Sequence, residues 1–408
     1  MNGIGGKTFD EALAALSDMT GGMTAIGKDE HLQRVAKAQA FMRDQGIAAV
    51  YLNAGTNLAY FTGTKWYASE RMVGAILPAS GALEYIAPAF EESTLTDFMV
   101  IEGRVNCWQE HESPYQLFVD VVKRMGIAPD AGAPPRLGIC ESAAFFIADG
   151  IRPLAAGYAL ENAGSVTAHC RTRKSAAEIA LMQRVKDMTL EVHKAAASVL
   201  HEGITTVEVA EFIARAHRKV GAPGSYFCIV LFGEASAYPH GVSYVQTLKR
   251  GDVVLIDTGC QVKGYISDIT RTYVYGEISE RQRFVWNAEK AAQLAAFAAA
   301  QPGVPCCEVD RAARASLEAN GFGPGYKLPG LPHRTGHGIG MDIHEWPYLV
   351  GGDNTPLASG MCFSNEPMIC IPGQFGIRHE DHFYMTEHGP KWFTEPAHSI
   401  DDPFGLSA

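Results

Sequence analysis

An apolar strand that runs into a carboxylate constrains most strongly how this chain can fold. Residues 253–256 are all apolar, and Asp257 follows them directly, before Thr-Gly. A charge at the end of a buried strand is costly unless it is paired or coordinated, although a single such Asp is also typical of a turn cap. Asp268 follows eleven positions later and precedes Ile-Thr-Arg-Thr. The loop between the two is long enough to close a hairpin, which would bring both carboxylates together.

Three further residues of the kinds that bind metals lie downstream, beside glycine, proline or a turn. They are His337 in His-Gly-Ile-Gly, Glu366 in Asn-Glu-Pro, and Glu380 in Arg-His-Glu-Asp. Oxygen-rich ligand sets suit hard or borderline divalent ions. Because a bridging carboxylate serves two ions, four carboxylates and one imidazole can hold a pair. The residues therefore predict a two-metal hydrolytic site.

The order and surroundings of these residues resemble the pita-bread metallopeptidases, the family of methionine aminopeptidase, aminopeptidase P, prolidase and creatinase. The resemblance covers about the last 230 residues, and a weaker likeness to the family's N-terminal domain extends upstream. It implies that Asp257 chelates one ion and that His337 and Glu366 bind the other. Asp268 and Glu380 would bridge the two ions.

The resemblance also implies roles in binding and catalysis around this set. Glu366 would carry a proton from the nucleophilic water to the leaving amine. His240, in Tyr-Pro-His-Gly, and His344, in Asp-Ile-His-Glu, would contact the substrate carbonyl and stabilise the tetrahedral intermediate. His333 would lie nearby as a further substrate-binding residue. Taken singly, each of these histidines is also typical of a core or surface position.

His333 and His337 are four positions apart, which invites comparison with a zincin helix. That interpretation fails, because Arg334 stands where the zincin motif has its glutamate base. The glycines at 336, 338 and 340 also argue against a helix. The same glycines loosely match a dinucleotide fingerprint, but no strand–turn–helix pattern surrounds them.

Arg378, two positions before Glu380, has two open interpretations. It is either a salt-bridge partner of the metal carboxylates or the bidentate partner of a substrate carboxylate. The prediction of a dipeptidase makes Arg378 the candidate for binding that substrate carboxylate. The chain also departs from the aminopeptidase P and prolidase branches, which commonly have Glu-Pro-Gly-Ile-Tyr. Here that segment ends in Met-Ile-Cys370, without the tyrosine hydroxyl, and His379 stands where an aliphatic residue is usual.

Composition excludes several other classes of protein. With 408 residues, 47% hydrophobic, the chain should form about two domains. A formal charge of −11 argues against a general nucleic-acid binder. The sequence contains no run of eighteen apolar residues without a charge, which argues against a membrane span. The first 27 residues do not have the pattern of a secretory signal. Nine cysteines without repeating spacing indicate reduced thiols in a cytoplasmic protein.

The patterning predicts an α/β (α+β) protein with three segments. Residues 1–27 are an N-terminal extension, 28–168 an α/β domain like that of creatinase, and 169–400 the catalytic domain. The resemblance implies a pita-bread fold in this last segment, with a curved antiparallel sheet covered by helices. It also implies that the N-terminal domain makes the contacts between the subunits of a homodimer.

Local patterns predict several individual elements. Three capping boxes predict helix starts after Ser175, Thr205 and Ser279. Residues 28–45 have helical character, and Gly46 is expected to end that helix. Residues 72–77 and 83–87 lie on either side of Pro-Ala-Ser-Gly, which predicts a hairpin.

These observations predict metal-dependent hydrolysis of an Xaa-Pro bond in small peptides, preferentially dipeptides, by a hydroxide that bridges two divalent ions. Mn²⁺ is the preferred ion, with Zn²⁺ or Co²⁺ as alternatives. The alternative functions are an Xaa-Pro aminopeptidase, and a non-peptide hydrolase or a lyase on the same fold. All five ligands are present, which argues against a creatinase-like amidinohydrolase and against a catalytically dead binding module.

Overall fold

Capping boxes begin several helices of this chain in the structure, a computed structural model that describes residues 3–129 and 132–406. In each box, a hydroxyl and a carboxylate or amide side chain satisfy two backbone amides at the helix start. The three predicted boxes are confirmed, pairing Ser175 with Glu178, Thr205 with Glu208, and Ser279 with Gln282. Gly46 ends the predicted helix over residues 28–45 in a left-handed conformation, with φ of 69°.

The chain divides into two compact units, residues 26–171 and residues 3–25 with 172–406. Helix α1 (Phe9–Ala14), from the predicted N-terminal extension, belongs to the second unit. Met1 and Asn2 of that extension lie outside the described residues. The predicted boundaries after residues 27 and 168 stay predictions. Among the described residues, no helix is both long enough and apolar enough to cross a bilayer.

The unit of residues 26–171 is built on a six-stranded mixed sheet in the order β4-β3-β2-β1-β5-β6. The strands are β1 (Ile47–Asn53), β2 (Gly74–Pro78), β3 (Glu84–Pro88), β4 (Arg104–Trp108), β5 (Arg136–Ile139) and β6 (Ala159–Asn162). The helices are α2 (Lys28–Gln45), α3 (Thr56–Thr62), α4 (Glu92–Phe98), α5 (Pro114–Arg124), α6 (Phe145–Ile151) and α7 (Gly164–Arg171), with a short 3₁₀ turn, Ala89–Glu91. The predicted β2–β3 hairpin and the α/β class are confirmed.

The other unit contains four long helices and twelve strands among its described residues. The helices are α8 (Ala176–Ser198), α9 (Thr206–Lys219), α10 (Glu280–Ala299) and α11 (Cys306–Ala319). The strands before α10 are β7 (Phe227–Phe232), β8 (Val253–Gly259), β9 (Gln261–Val262), β10 (Tyr265–Ile266) and β11 (Ile269–Val274), with a 3₁₀ turn, Gly233–Ala237. The strands after α11 are β12 (Gly336–Gly338), β13 (Glu345–Leu349), β14 (Cys362–Asn365), β15 (Met368–Ile371), β16 (Phe375–Arg378), β17 (Asp381–Thr386) and β18 (Gly389–Trp392).

All strand pairs of this unit are antiparallel, as expected. They form a three-stranded sheet, β11-β8-β7, and a five-stranded sheet, β13-β12-β14-β17-β18, with two short ribbons. One hydrophobic cluster joins α1, α8 and α9 to the first sheet, and another joins α10 and α11 to the second. A pair of helices followed by antiparallel strands thus occurs twice.

The hairpin predicted from Asp257 to Asp268 is present. Strands β8 and β11 pair with Thr270 opposite Asp257, and the short β9–β10 ribbon occupies the loop between them. Asp268 stands immediately before β11. The polar residues at one end of this hairpin therefore come from two different strands.

A buried ion pair ties the hairpin to the five-stranded sheet. Arg271 of β11 is 1% exposed, and its Nη2 lies 2.6 Å from Oδ1 of the fully buried Asp381 on β17. Nη1 of Arg271 donates to the carbonyl of Glu380 at 3.0 Å. Gln293 and Thr394 also donate to the Asp381 carboxylate, each at 3.0 Å. Because Arg271 bonds both to the Asp381 carboxylate and to the Glu380 carbonyl, the ion pair fixes the backbone of Glu380 against β11.

Arg271→Leu should therefore destabilise the metal-free protein strongly, because it leaves the Asp381 charge buried without its cation. We expect the free energy of unfolding to fall by about 3–5 kcal/mol. Arg283→Leu is the matched control, since Arg283 makes an exposed pair with Asp401, and it should cause only a small fraction of that loss. Urea unfolding followed by circular dichroism measures both; equal losses would contradict the assignment.

Candidate metal centre

The five predicted ligands come from the ends of strands that meet at one place. Asp257 lies on β8, Asp268 just before β11, and His337 on β12. Glu366 follows β14, and Glu380 stands between β16 and β17. Both antiparallel sheets thus contribute to one cluster, and each ligand stands where a strand ends, turns or carries a glycine.

The interatomic distances show that these side chains converge. Nε2 of His337 lies 3.2 Å from Oε1 of Glu366 and 3.7 Å from Oδ2 of Asp268. One ligand atom each from His337, Glu366 and Glu380 lie within 4.8 Å of one another. The side chains of Asp257 and Asp268 interact directly. The structure therefore brings together all five residues that the sequence singled out.

Neighbouring groups orient the ligand atoms. Nδ1 of His337 donates a hydrogen bond to the carbonyl of Gly338 at 3.0 Å, which turns Nε2 towards the carboxylates. The hydroxyl of Ser364 donates to Oε1 of Glu366 at 3.2 Å, and that of Thr270 to Oε2 of Glu380 at 2.9 Å. These hydrogen bonds leave other oxygen atoms of the cluster facing one another.

Burial and mutual repulsion disturb the carboxyl groups. Burial first, and then the negative charges of Asp257 and Glu366, raise the pKa of Asp268 well above its usual value. Burial and the charges of Asp268 and Glu366 raise the pKa of Glu380 in the same way. Burial raises the pKa of Asp257 too, although Arg378 opposes the effect. Without a cation, the cluster cannot keep all its carboxylates ionised at low cost.

Glu366 is the exception. Burial would raise the pKa of its carboxyl, but the imidazole of His337 and the charges of His333 and Arg378 lower it to about 2. Its side chain is also the most exposed of the five, at 15%, compared with 2–10% for the others. Glu366 is therefore ionised and is the ligand most open to solvent.

Divalent cations fit this arrangement. Nε2 of His337 and Oε1 of Glu366 point at each other at 3.2 Å, and a cation can take the place of the proton that the two atoms would otherwise share. One buried oxygen each of Asp257, Asp268 and Glu380 makes no hydrogen bond. Four carboxylates and an imidazole are the donors that Mn²⁺, Co²⁺ and Zn²⁺ accept. The donor set, the unbonded oxygens and the raised pKa values agree on this point.

Three predicted substrate histidines lie around Glu366. His333 precedes β12, and its buried Nε2 makes no hydrogen bond. The ring of His344 stands perpendicular to that of His337, with centroids 4.3 Å apart. Partial burial and the charges of His337 and Arg334 lower the pKa of His344 to about 4. The exposed His240 is close enough for its charge to lower the pKa values of His333 and His344.

Arg378 occupies the salt-bridge position of its two interpretations. Its guanidinium is 3% exposed, and Nη2 donates to Oδ2 of Asp257 at 2.5 Å. Nε donates to the hydroxyl of Thr270 and Nη1 to the carbonyl of Pro239, each at 3.1 Å. Each of its three nitrogens thus has a partner within the protein, and this geometry is poorly suited to capturing a substrate carboxylate.

Arg334 is a cation that the sequence reasoning passed over. It is half-buried, its guanidinium stacks on the ring of Tyr348 at 4.4 Å, and it has no carboxylate partner among the described residues. It lies close enough to His344 to lower the pKa of that ring. The sequence signal that could have identified Arg334 as a site residue is its position between His333 and Thr335, three positions before His337.

The two departures from the family pattern do not bring new acid–base groups to the carboxylates. Cys370 is buried on β15, and burial raises the pKa of its thiol to about 12, so it stays protonated. His379 faces away from the ligands: its Nε2 lies 3.3 Å from Oε2 of Glu289, and its ring contacts Trp286.

Comparison with known proteins decides the family. The sequence model described as "Metallopeptidase family M24" matches residues 180–387, about half of the chain, and that of the "Creatinase/Prolidase N-terminal domain" matches residues 34–173. This chain belongs to metallopeptidase family M24. It is therefore an enzyme of a metal-dependent hydrolase family, and the pita-bread fold expected for the C-terminal part is confirmed.

Individual M24 relatives span nearly the whole chain. It is 34% identical over 373 residues to the "Probable dipeptidase PepE" of Mycobacterium tuberculosis, covering 90% of this chain and 95% of the relative. The crystal structure of dipeptidase PepE from Mycobacterium ulcerans superposes with a TM-score of 0.84 at 32% identity, covering 92% and 99%. That of a prolidase from Thermococcus sibiricus gives 0.80 at 30% identity, covering 90% and 97%.

Metal removal should expose the repulsion within the cluster. Adding Mn²⁺ at about 100 times its dissociation constant to chelator-treated protein should raise the free energy of unfolding by about 2.7 kcal/mol. Asp268→Asn should lose most of this gain, and its metal-free form should be at least as stable as the wild type, because a buried charge is gone. Asp187→Asn, on α8 and outside the cluster, should keep the full gain. Thermal melts with and without Mn²⁺ measure these effects; an undiminished gain in Asp268→Asn would contradict the site.

Proposed function

We propose that this enzyme hydrolyses the Xaa-Pro bond of dipeptides and uses two divalent ions held by Asp257, Asp268, His337, Glu366 and Glu380. The observation that carries the proposal is the convergence of these five side chains, with only Glu366 partly open to solvent. The names of the relatives, dipeptidases and a prolidase, support the substrate class. The carboxylate-rich set favours Mn²⁺, with Zn²⁺ or Co²⁺ as alternatives.

When bound, the ions would lower the pKa of a water molecule towards neutrality and polarise the scissile carbonyl. The protein's own groups would do the rest. The Glu366 carboxylate accepts the proton of the attacking water and passes it to the proline nitrogen, which leaves as an amine. Ser364 keeps the carboxylate oriented for both transfers. His240 and His344 donate hydrogen bonds to the oxygen on which negative charge develops.

Recognition of the free carboxylate distinguishes a dipeptidase from an aminopeptidase. Since Arg378 is occupied by Asp257, we assign this contact to Arg334. Stacking on Tyr348 holds the guanidinium in place while its planar fork remains suited to a carboxylate. A proline carboxylate would supply the anionic partner that Arg334 otherwise lacks among the described residues. Arg378 then serves to hold Asp257 in position.

We further propose a cytoplasmic homodimer. The family resemblance assigns the N-terminal domain to contacts between subunits, and the cysteine pattern is that of reduced thiols.

Glu366→Gln should reduce kcat by about 10²–10⁴-fold, because the amide cannot accept the proton in the transition state. KM should change much less, since binding of the peptide does not depend on that transfer. Glu387→Gln, on an exposed turn, is the control. Steady-state kinetics together with metal content by mass spectrometry separate the two roles of Glu366. A variant that keeps its metals and turns over within several-fold of wild type would rule out Glu366 as the base.

A substrate series tests the proposed activity. With Mn²⁺ present, Ala-Pro and Gly-Pro should be cleaved and Ala-Pro-Ala should be cleaved little, and chelation should abolish turnover. Arg334→Ala should raise KM for Ala-Pro by about tenfold or more, the effect of losing 1.5–3 kcal/mol from a charged hydrogen bond. Arg311→Ala, an exposed arginine on α11, is the matched control and should leave KM unchanged.

The outcomes discriminate between the candidate functions. Equal cleavage of Ala-Pro and Ala-Pro-Ala would indicate an Xaa-Pro aminopeptidase. Cleavage of neither, with metals bound, would indicate a non-peptide hydrolase or a lyase. A KM for Ala-Pro that does not change in Arg334→Ala would remove Arg334 from substrate recognition.

A further inference from the structure

A second histidine lies against the candidate metal centre and belongs to none of the roles assigned above. His382 is the second residue of β17 and pairs across the sheet with Ser364 of β14. Alternate residues of a strand face the same side, so His382 and Glu380 point together. Nε2 of His382 lies 3.5 Å from Oε1 of Glu380. This places an imidazole beside a carboxylate that is predicted to bridge both ions.

The ring of His382 is fully buried, yet neither of its nitrogens makes a hydrogen bond to any described residue. Leaving a buried polar group unsatisfied costs about 1–3 kcal/mol, so such a group needs an explanation. His217 shows the ordinary solution, because its nitrogens bond to Thr189 and Ser225. His379 also lacks a hydrogen bond, but it faces Glu289 and not the ligands.

Donor atoms around His382 are arranged as a ligand set. One ring nitrogen of His382 and one oxygen each of Asp268 and Glu380 all lie within 4.8 Å of one another. The unbonded oxygens of the cluster include Oδ1 of Asp268 and Oε1 of Glu380, the atom nearest to His382. Two carboxylate oxygens and an imidazole nitrogen that converge without hydrogen bonds are suited to a divalent cation.

We propose that Nε2 of His382 is a further ligand of a divalent ion held by Asp268 and Glu380. The inference rests on the proposed metal centre and adds a sixth side chain to it. A second imidazole makes the set richer in nitrogen, and imidazole favours Zn²⁺ and Co²⁺ relative to Mn²⁺. His382 would therefore shift the metal preference of this chain towards those two ions.

The cobalt-substituted protein provides a direct test. An imidazole bound to high-spin Co²⁺ gives a strongly shifted, solvent-exchangeable N–H resonance in the proton NMR spectrum. Wild-type protein should show two such resonances, from His337 and His382, and His382→Gln should show one. The same variant should bind one of two Co²⁺ ions at least about 10–100-fold more weakly in calorimetric titration and lose less affinity for Mn²⁺.

Matched measurements keep the inference falsifiable. His379→Gln changes an equally buried histidine three positions away and should retain both shifted resonances. One resonance in wild-type protein with two Co²⁺ ions bound would overturn the proposal and leave His382 as a neighbour of Glu380 only; this result requires no variant to fold. Failure of the wild type to bind any Co²⁺ would instead refute the metal centre on which the inference rests.

Discussion

Repulsion among carboxylates buried within a few ångströms of one another is the constraint on which the C-terminal unit depends. Burial and neighbouring charges raise the pKa values of Asp257, Asp268 and Glu380 together. Such a group of acids is stable as anions only where cations are supplied. The protein supplies some of that charge itself, and the remaining unbonded oxygens indicate where divalent ions would supply more.

The two arginines of the centre have different tasks. Arg378 pairs directly with a ligand, Asp257, and thereby sets the orientation of its carboxylate. Arg271 pairs one residue beyond a ligand, with Asp381, and holds the backbone of Glu380 through its carbonyl. One arginine therefore fixes a side chain and the other fixes a loop. Neither guanidinium is free for substrate, so Arg334, a half-buried cation near His344, becomes the better candidate for that contact.

Local sequence signals predicted much of this structure. Capping boxes gave the starts of α8, α9 and α10, a glycine gave the end of α2, and the apolar run before Asp257 gave β8. These features depend only on residues within a few positions along the chain, so they can be predicted without knowledge of the tertiary structure. The convergence of Asp257 with Asp268 followed from hairpin geometry. His337, Glu366 and Glu380 entered the set through their residue types and neighbours, and the family resemblance assigned their roles.

The features that sequence reasoning missed depend on contacts between distant segments. The burial of Arg378 depends on Pro239, Asp257 and Thr270, all more than 100 positions away, so its role could not be chosen from local pattern. His382 was passed over because it follows Asp381, although strand alternation would have placed it beside Glu380. The short strands β12, β13, β15 and β16 lack a run of β-forming residues long enough to be recognised.

The central claim is that this buried group of acids holds two divalent ions. Diffraction from crystals grown with Mn²⁺, recorded on both sides of the manganese absorption edge, tests it most directly. The account predicts two anomalous peaks about 3.5–4 Å apart among Asp257, Asp268, His337, Glu366 and Glu380. No peak among these side chains, with manganese present in the crystal, would contradict it.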